Sequence, residues 1–71
     1  MNLEQKEKII NVINKHCLSI NELFETDYNF IIEFKKVTLL DSDVFKDISL
    51  ISDKFFVCSI NNKLQLEFSK L

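Results

Sequence analysis

Apolar residues in the first part of the chain recur every three or four positions, as they do along one face of an amphipathic helix. This pattern predicts a helix from about residue 3 to 16. Asn2 is a preferred helix-capping residue, and Gln5 stands where the reciprocal partner of a capping box stands. The apolar stripe of this helix consists of Leu3, Ile9, Ile10, Ile13 and Cys17.

The segment at 19–22 reads Ser-Ile-Asn-Glu, which is the Ser-x-x-Glu form of a second capping box. We therefore expect one short helical turn that carries Ile20, Leu23 and Phe24. The polar residues that follow end this apolar pattern.

Apolar side chains alternate between residues 28 and 34, which predicts a β-strand. One face of this strand carries Tyr28, Phe30, Ile32 and Phe34, and the other carries Asn29, Ile31 and Glu33. Beyond Lys35-Lys36 the apolar positions change parity, to Val37 and Leu39. Because a slip of one residue exchanges the two faces of a strand, we expect a bulge or a strand end near Lys35.

Three residues with good capping properties, Asp41, Ser42 and Asp43, predict the start of a second helix. The apolar positions that follow have helical spacing and indicate roughly three turns. They are Val44, Phe45, Ile48, Ile51 and Phe55.

Residues 55–68 have the pattern of a β-hairpin around Asn61-Asn62, because asparagine adopts the left-handed conformations that tight turns require. The length of the turn decides the faces of the first strand. A two-residue turn leaves Phe56, Cys58 and Ile60 on the outside, and a three-residue turn brings them inside. Both registers stay open at this point.

Together these elements predict a single α+β domain over residues 1–71, a small two-layer sandwich in the order α-(turn)-β-α-β-β. The strand–helix–strand part favours a right-handed parallel crossover. The C-terminal hairpin then completes a three-stranded sheet with the helices on one face.

The other face of such a sheet keeps apolar groups. The residues that we expect there are Ile31, Phe56, Cys58 and Ile60. Small domains draw little stability from their own core, and an uncovered apolar surface commonly binds a partner. We therefore predict a non-catalytic protein-binding module, a regulator, inhibitor or assembly factor, that acts through this apolar sheet face or through a strand edge. It binds another protein or a second copy of itself as a homodimer.

The composition argues against several other functions. The 71-residue chain contains no Gly, so a glycine-rich phosphate loop is absent, and its net charge of −2 disfavours nucleic acid. All nine basic residues are Lys, and Ala, Arg and Pro are also missing, which suggests an AT-rich genome such as that of a low-GC bacterium, phage or plasmid. We expect no cofactor.

The few residues with reactive or ligating side chains form no motif. Cys17 and Cys58 are far apart in sequence and His16 is the single histidine, so we expect no structural metal site, no catalytic cluster and two reduced thiols. The polar N-terminal segment does not resemble a signal peptide, and no apolar run could span a membrane. These features favour a cytoplasmic protein.

The Asp41-Ser42 pair at a helix start also resembles the modification site of acyl carrier proteins, which are small, acidic and helical. The resemblance implies phosphopantetheine on Ser42. It extends to Ile9, Ile10, Ile13, Leu23, Phe30, Phe34, Phe56, Ile60, Leu64 and Phe68. The chain departs from the family at Asp43, where the family has Leu, and it ends where the family's last helix begins.

A third interpretation is a winged-helix nucleic-acid binder, because a helix followed by a hairpin also ends that fold. Its recognition helix would span residues 42–52, where Lys46 is the only cation. Such a helix is poorly suited to a phosphate backbone.

Overall fold

Two helices and four strands alternate in the order α-β-β-α-β-β. The computed structural model describes residues 1–35 and 40–71. The elements are α1 (Leu3–Lys15), β1 (Ile20–Glu25), β2 (Asn29–Phe34), α2 (Ser42–Ser49), β3 (Phe55–Ile60) and β4 (Lys63–Ser69).

The strands form one antiparallel sheet in the order β1-β2-β4-β3. The predicted three-stranded sheet with adjacent parallel strands, and the order α-(turn)-β-α-β-β, are therefore wrong. β2 and β3 do run parallel, but β4 lies between them and pairs with both. This order places the two strands with the clearest apolar alternation side by side at the centre, so that Ile32 lies opposite Leu66 and Phe30 opposite Phe68.

The segment predicted as a short helical turn is the edge strand β1. Ser-x-x-Glu is a local signal, whereas the observed strand is fixed by a neighbour about ten residues further along the chain. Leu23 lies opposite Ile32, and Phe24 lies opposite Ile31. The Thr26 side chain accepts the N–H groups of Tyr28 and Asn29 and so holds the turn between β1 and β2.

Both helices begin where the capping residues predict. In α1, Asn2 and Gln5 form the reciprocal capping box. In α2, the Asp41 carboxylate accepts the N–H groups of Asp43 and Val44, each at 3.1 Å. α2 ends at Ser49 and is shorter than the predicted three turns.

Phe55 lies in β3 and not in α2. The sequence pattern placed it both on the apolar stripe of that helix and at the start of the hairpin, and it is the first residue of β3. Its ring centroid lies 6.1 Å from that of Phe45, with the two rings stacked, and 5.7 Å from that of Phe68. The ring thus lies between the helix and the sheet. The same aromatic contact is thus made from a strand instead of from a third helical turn.

The hydrophobic core lies between the two helices and one face of the sheet. Every second residue of β2 and β4 points into it, as their alternation predicts. The core consists of Ile9, Ile13, Phe30, Ile32, Phe34, Val44, Ile48, Leu66 and Phe68.

A two-residue turn joins β3 to β4. Asn61 and Asn62 have φ angles of 53° and 62°, and Ile60 pairs with Lys63. Positive φ at both turn residues matches the twist of a tight hairpin. Of the two registers that the sequence left open, the chain adopts the one that turns Phe56 and Ile60 away from the helices.

Two expectations concern the residues after β2. The strand ends at Phe34, close to the predicted end near Lys35. The predicted change of parity at Val37 and Leu39 lies outside the described residues.

Neither alternative fold matches this architecture. The four strands differ from the helical architecture that the carrier resemblance implies. The α2–β3–β4 segment has the helix–hairpin order of a winged helix, but here the hairpin continues through β4 into β2 of a larger sheet.

The turn supplies a test of the hairpin register. Val at Asn62 should lower the free energy of unfolding by about 1–2 kcal/mol, because a β-branched residue is strained at positive φ. Gly at the same position should preserve or raise it. Urea unfolding of both variants checks this expectation. An Asn62→Val protein at least as stable as Asn62→Gly would contradict the positive φ angle at this position of the turn.

Candidate functional site

The candidate site is the face of the sheet opposite the helices, which we call the open face. None of the described elements packs on it, because α1 and α2 both contribute to the core on the other side. Its central row runs from Phe24 through Ile31 and Glu67 to Phe56. Its residues are Glu22, Phe24, Ile31, Glu33, Phe56, Cys58, Ile60, Lys63, Gln65 and Glu67.

The apolar groups of the open face lie at its two sides. On β3, Phe56 is 53% exposed and Ile60 is 49% exposed. On β1, Phe24 is also exposed. Ile31 lies between them on β2 and is only 6% exposed, although it is not part of the core cluster. The open face therefore has an accessible aromatic ring on each edge strand.

Polar side chains join the strands at the centre of the open face. The Glu33 carboxylate accepts hydrogen bonds from Asn21 Nδ2 at 2.8 Å and from Gln65 Nε2 at 3.0 Å. Lys63 Nζ lies 3.5 Å from the same carboxylate. Glu33 and Gln65 are both buried, and all buried polar side-chain atoms in the described parts of the chain have partners.

These contacts keep Glu33 ionised. The hydrogen bond from Gln65 is the largest cause, followed by that from Asn21, and together they hold the pKa of Glu33 below its usual value, against the opposing effect of burial. The carboxylate thus gives the centre of the open face a fixed negative charge at neutral pH.

Cys58 is held as an unreactive thiol. Its Sγ lies 2.8 Å from Oε2 of Glu67 and 3.8 Å from Oε1 of Gln65. The hydrogen bond to Glu67 and burial raise the pKa of Cys58 to about 11. Because the thiolate is the nucleophile of cysteine chemistry, this environment suppresses reactivity and makes Cys58 a hydrogen-bond donor.

The four site residues predicted from the sequence all lie on the open face. Phe56, Cys58 and Ile60 occupy alternate positions of β3, and Ile31 lies two strands away on β2. Their alternation, together with the two-residue turn, brings them to one side. Only Phe56 and Ile60 are widely exposed, so Ile31 acts as a buried support of the surface.

Sequence reasoning missed Phe24 and the polar centre. Phe24 was assigned to a helical turn, and the irregularity between Ile20 and Glu22 breaks the alternation that would have revealed a strand. The polar residues Thr26-Asp27 between two apolar runs were the available hairpin signal. The contact of Glu33 with Gln65 depends on strand order, which no local pattern supplies.

The other residues considered for chemistry lie elsewhere. His16 Nε2 is 2.9 Å from Asp47 Oδ2, and this contact joins the end of α1 to α2. Ser42 is exposed at the first position of α2. Within residues 1–35 and 40–71, no three His, Cys, Asp or Glu side chains are grouped as a metal site, and no helix is long and apolar enough to cross a membrane.

Comparison with known proteins adds no relative. No protein-family model, no curated protein and no solved structure matches the chain. Function is therefore inferred from the geometry of the open face.

The polar centre predicts a specific response to acid. Glu33 has a lowered pKa in the folded state, so its ionised form stabilises the fold above the ordinary value near 4.5, and this stabilisation is lost as the pH falls through the folded value. Glu33→Gln should be less stable than the wild type at pH 7, and the difference should shrink below about pH 4.5. Thermal unfolding from pH 7 to pH 3 measures this, with the exposed Glu7→Gln as control. A difference that does not vary with pH would contradict the role of the carboxylate.

The thiol makes a second prediction. The raised pKa of about 11, against an ordinary 9.0, means roughly 100-fold less thiolate at pH 8. Iodoacetamide should therefore modify the exposed Cys17 well before Cys58. Glu67→Gln should accelerate the reaction of Cys58 and leave that of Cys17 unchanged, as followed by peptide mass spectrometry. Equal rates at both cysteines in the wild type would show that Glu67 does not hold the thiol.

Proposed function

We propose that this chain is a non-catalytic protein-binding module that acts as a regulator, inhibitor or assembly factor, with the open face as its docking surface. One observation carries the proposal. Phe56 and Ile60 project from a sheet face on which no element of the described chain packs, and each is about half exposed. Exposed aromatic side chains on a rigid surface are typical anchors of protein interfaces.

The energetics of these residues support a partner. Complete burial of a Phe side chain is worth about 1.5–3 kcal/mol relative to exposure. Phe56 and Phe24 are partly exposed in the isolated chain, so a partner that covers them gains the rest of this burial free energy. Both belong to a sheet whose backbone is fixed by pairing, so little conformational entropy is lost when a partner covers them.

The charges of the open face indicate the chemistry of the partner. Glu22, Glu33 and Glu67 stand against one cation, Lys63. Two copies packed face to face would bring these carboxylates together at low dielectric, which is unfavourable. The proposed partner is therefore a different protein whose contact surface combines apolar side chains with Lys or Arg.

The proposal includes a cytoplasmic location. Cys17 and Cys58 are both free cysteines. Unpaired thiols are typical of proteins in reducing compartments.

A displayed library of random peptides tests the docking surface without a known partner. Selection on the wild-type protein should enrich peptides that combine apolar residues with Lys or Arg. Phe56→Asp and Phe24→Asp should each lower the affinity of the enriched peptides by at least about tenfold. Each substitution removes an anchor and adds a charge that the peptide must desolvate. Leu50→Asp is the matched control, since Leu50 is exposed just after α2, away from the open face.

The same variants separate binding from folding. Phe56→Asp should keep the urea midpoint of the wild type, because the Phe56 side chain is already half exposed. Acidic enriched peptides, peptides that bind Phe56→Asp and Phe24→Asp as well as the wild type, or the absence of enrichment would contradict the proposal. An unfolded Phe56→Asp protein would show that Phe56 belongs to the core.

A further inference from the structure

The two edges of the sheet differ in their protection against other strands. The edge strand β1 carries Glu22 and Glu25 and has a register irregularity between Ile20 and Glu22. Charges and bulges are the devices by which natural sheets block edge pairing. The edge strand β3 has the sequence Phe-Phe-Val-Cys-Ser-Ile, with no charge, no Pro and no irregularity in its pairing with β4.

The hydrogen-bond pattern shows which backbone groups β3 leaves open. The Ser69 N–H donates to the Lys54 carbonyl at 2.9 Å, immediately before the first β3–β4 pair. Bonded and non-bonded pairs alternate along an antiparallel ladder, so the next residues that bond β4 are Phe56, Cys58 and Ile60. The residues between them direct their N–H and C=O groups outward, away from the sheet. They are Phe55, Val57 and Ser59.

We propose that β3 pairs antiparallel with β3 of a second copy of this chain, about a two-fold axis at Val57. In this register Val57 lies opposite Val57 of the second copy, and Phe55 lies opposite Ser59. Each copy then has its three outward N–H and three outward C=O groups paired. The product is one continuous eight-stranded sheet, made of two sheets of four strands.

Self-pairing suits this strand for reasons of charge and shape. Because β3 is uncharged, two copies bring no like charges together along the new ladder. On the open face, the large Phe56 of one copy lies opposite the small Cys58 of the other. On the helix side, Val57 is 38% exposed and gains cover from its symmetry mate. The protected β1 edges end the sheet at two copies, so the association is closed.

The pairing is independent of the proposed docking surface and compatible with it. A two-fold axis perpendicular to the sheet keeps both open faces on the same side. The dimer would present two docking surfaces next to each other, which favours a partner with two matching sites.

Charged substitutions of Val57 test the pairing. Val57→Lys and Val57→Asp each place like charges at the two-fold axis, so each alone should raise the dissociation constant of the dimer at least about tenfold. An equal mixture of the two should restore association, because Lys then lies opposite Asp. Analytical ultracentrifugation over a dilution series from about 1 to 500 µM measures all three samples and the wild type.

Leu23 provides the matched control. It lies in the same cross-strand row as Val57, on the opposite edge, and is 43% exposed. Leu23→Lys and Leu23→Asp should leave the dissociation constant of the dimer at its wild-type value. In the unsubstituted protein, the amides of Phe55, Val57 and Ser59 should exchange with solvent more slowly as the concentration rises, which requires no variant to fold.

Three results would overturn the pairing. They are a wild type that stays monomeric throughout the dilution series, dimers of Val57→Lys or Val57→Asp as tight as the wild type, and a mixture that fails to associate. Peptides selected on the open face should bind Val57→Lys as they bind the wild type. If they do so while the wild type is monomeric, only the edge pairing is overturned, and the docking proposal stands.

Discussion

Two short helices cover only one side of a four-stranded sheet. The composition of the other side depends on this one-sided packing. α1 and α2 supply Ile9, Ile13, Val44 and Ile48 to the core, where they meet alternate residues of the central strands. A chain of 71 residues has no further described helix for the other side. Alternate residues of β2, β3 and β4, together with Glu22 and Phe24 of β1, therefore face away from the core, and they determine the properties of that face.

The central position of β4 makes the one-sided arrangement stable. It pairs with β2 and β3, so that Leu66 and Phe68 lie at the middle of the core. On the opposite side of the same strand, Gln65 binds Glu33 and Glu67 binds Cys58. These contacts satisfy polar groups that are largely removed from water without a covering layer. They also separate the apolar groups of β1 from those of β3, which leaves an aromatic anchor on each side.

Local patterns predicted the elements whose signals are local. The capping box of α1, the alternation of β2 and the Asn61-Asn62 turn each depend on residues within one turn or one strand, and the structure contains all three. Strand order and the identity of β1 depend on pairing between distant residues, which the sequence does not display. For the open face, alternation grouped Phe56 with Cys58 and Ile60, but the two-residue turn of the structure was needed to place them on the same side as Ile31. Phe24 was missed because the irregularity after Ile20 interrupts the period.

No helix or strand within residues 1–35 and 40–71 covers the open face in the isolated chain. Solvent paramagnetic relaxation of the side-chain protons, measured by NMR on a dilute sample with a soluble gadolinium chelate, tests it directly. We expect strong relaxation of the Phe24 and Phe56 rings and weak relaxation of the Phe34 and Phe68 rings, which are buried under the helices. Equal protection of all four rings would show that both faces of the sheet are covered and that the open face does not exist.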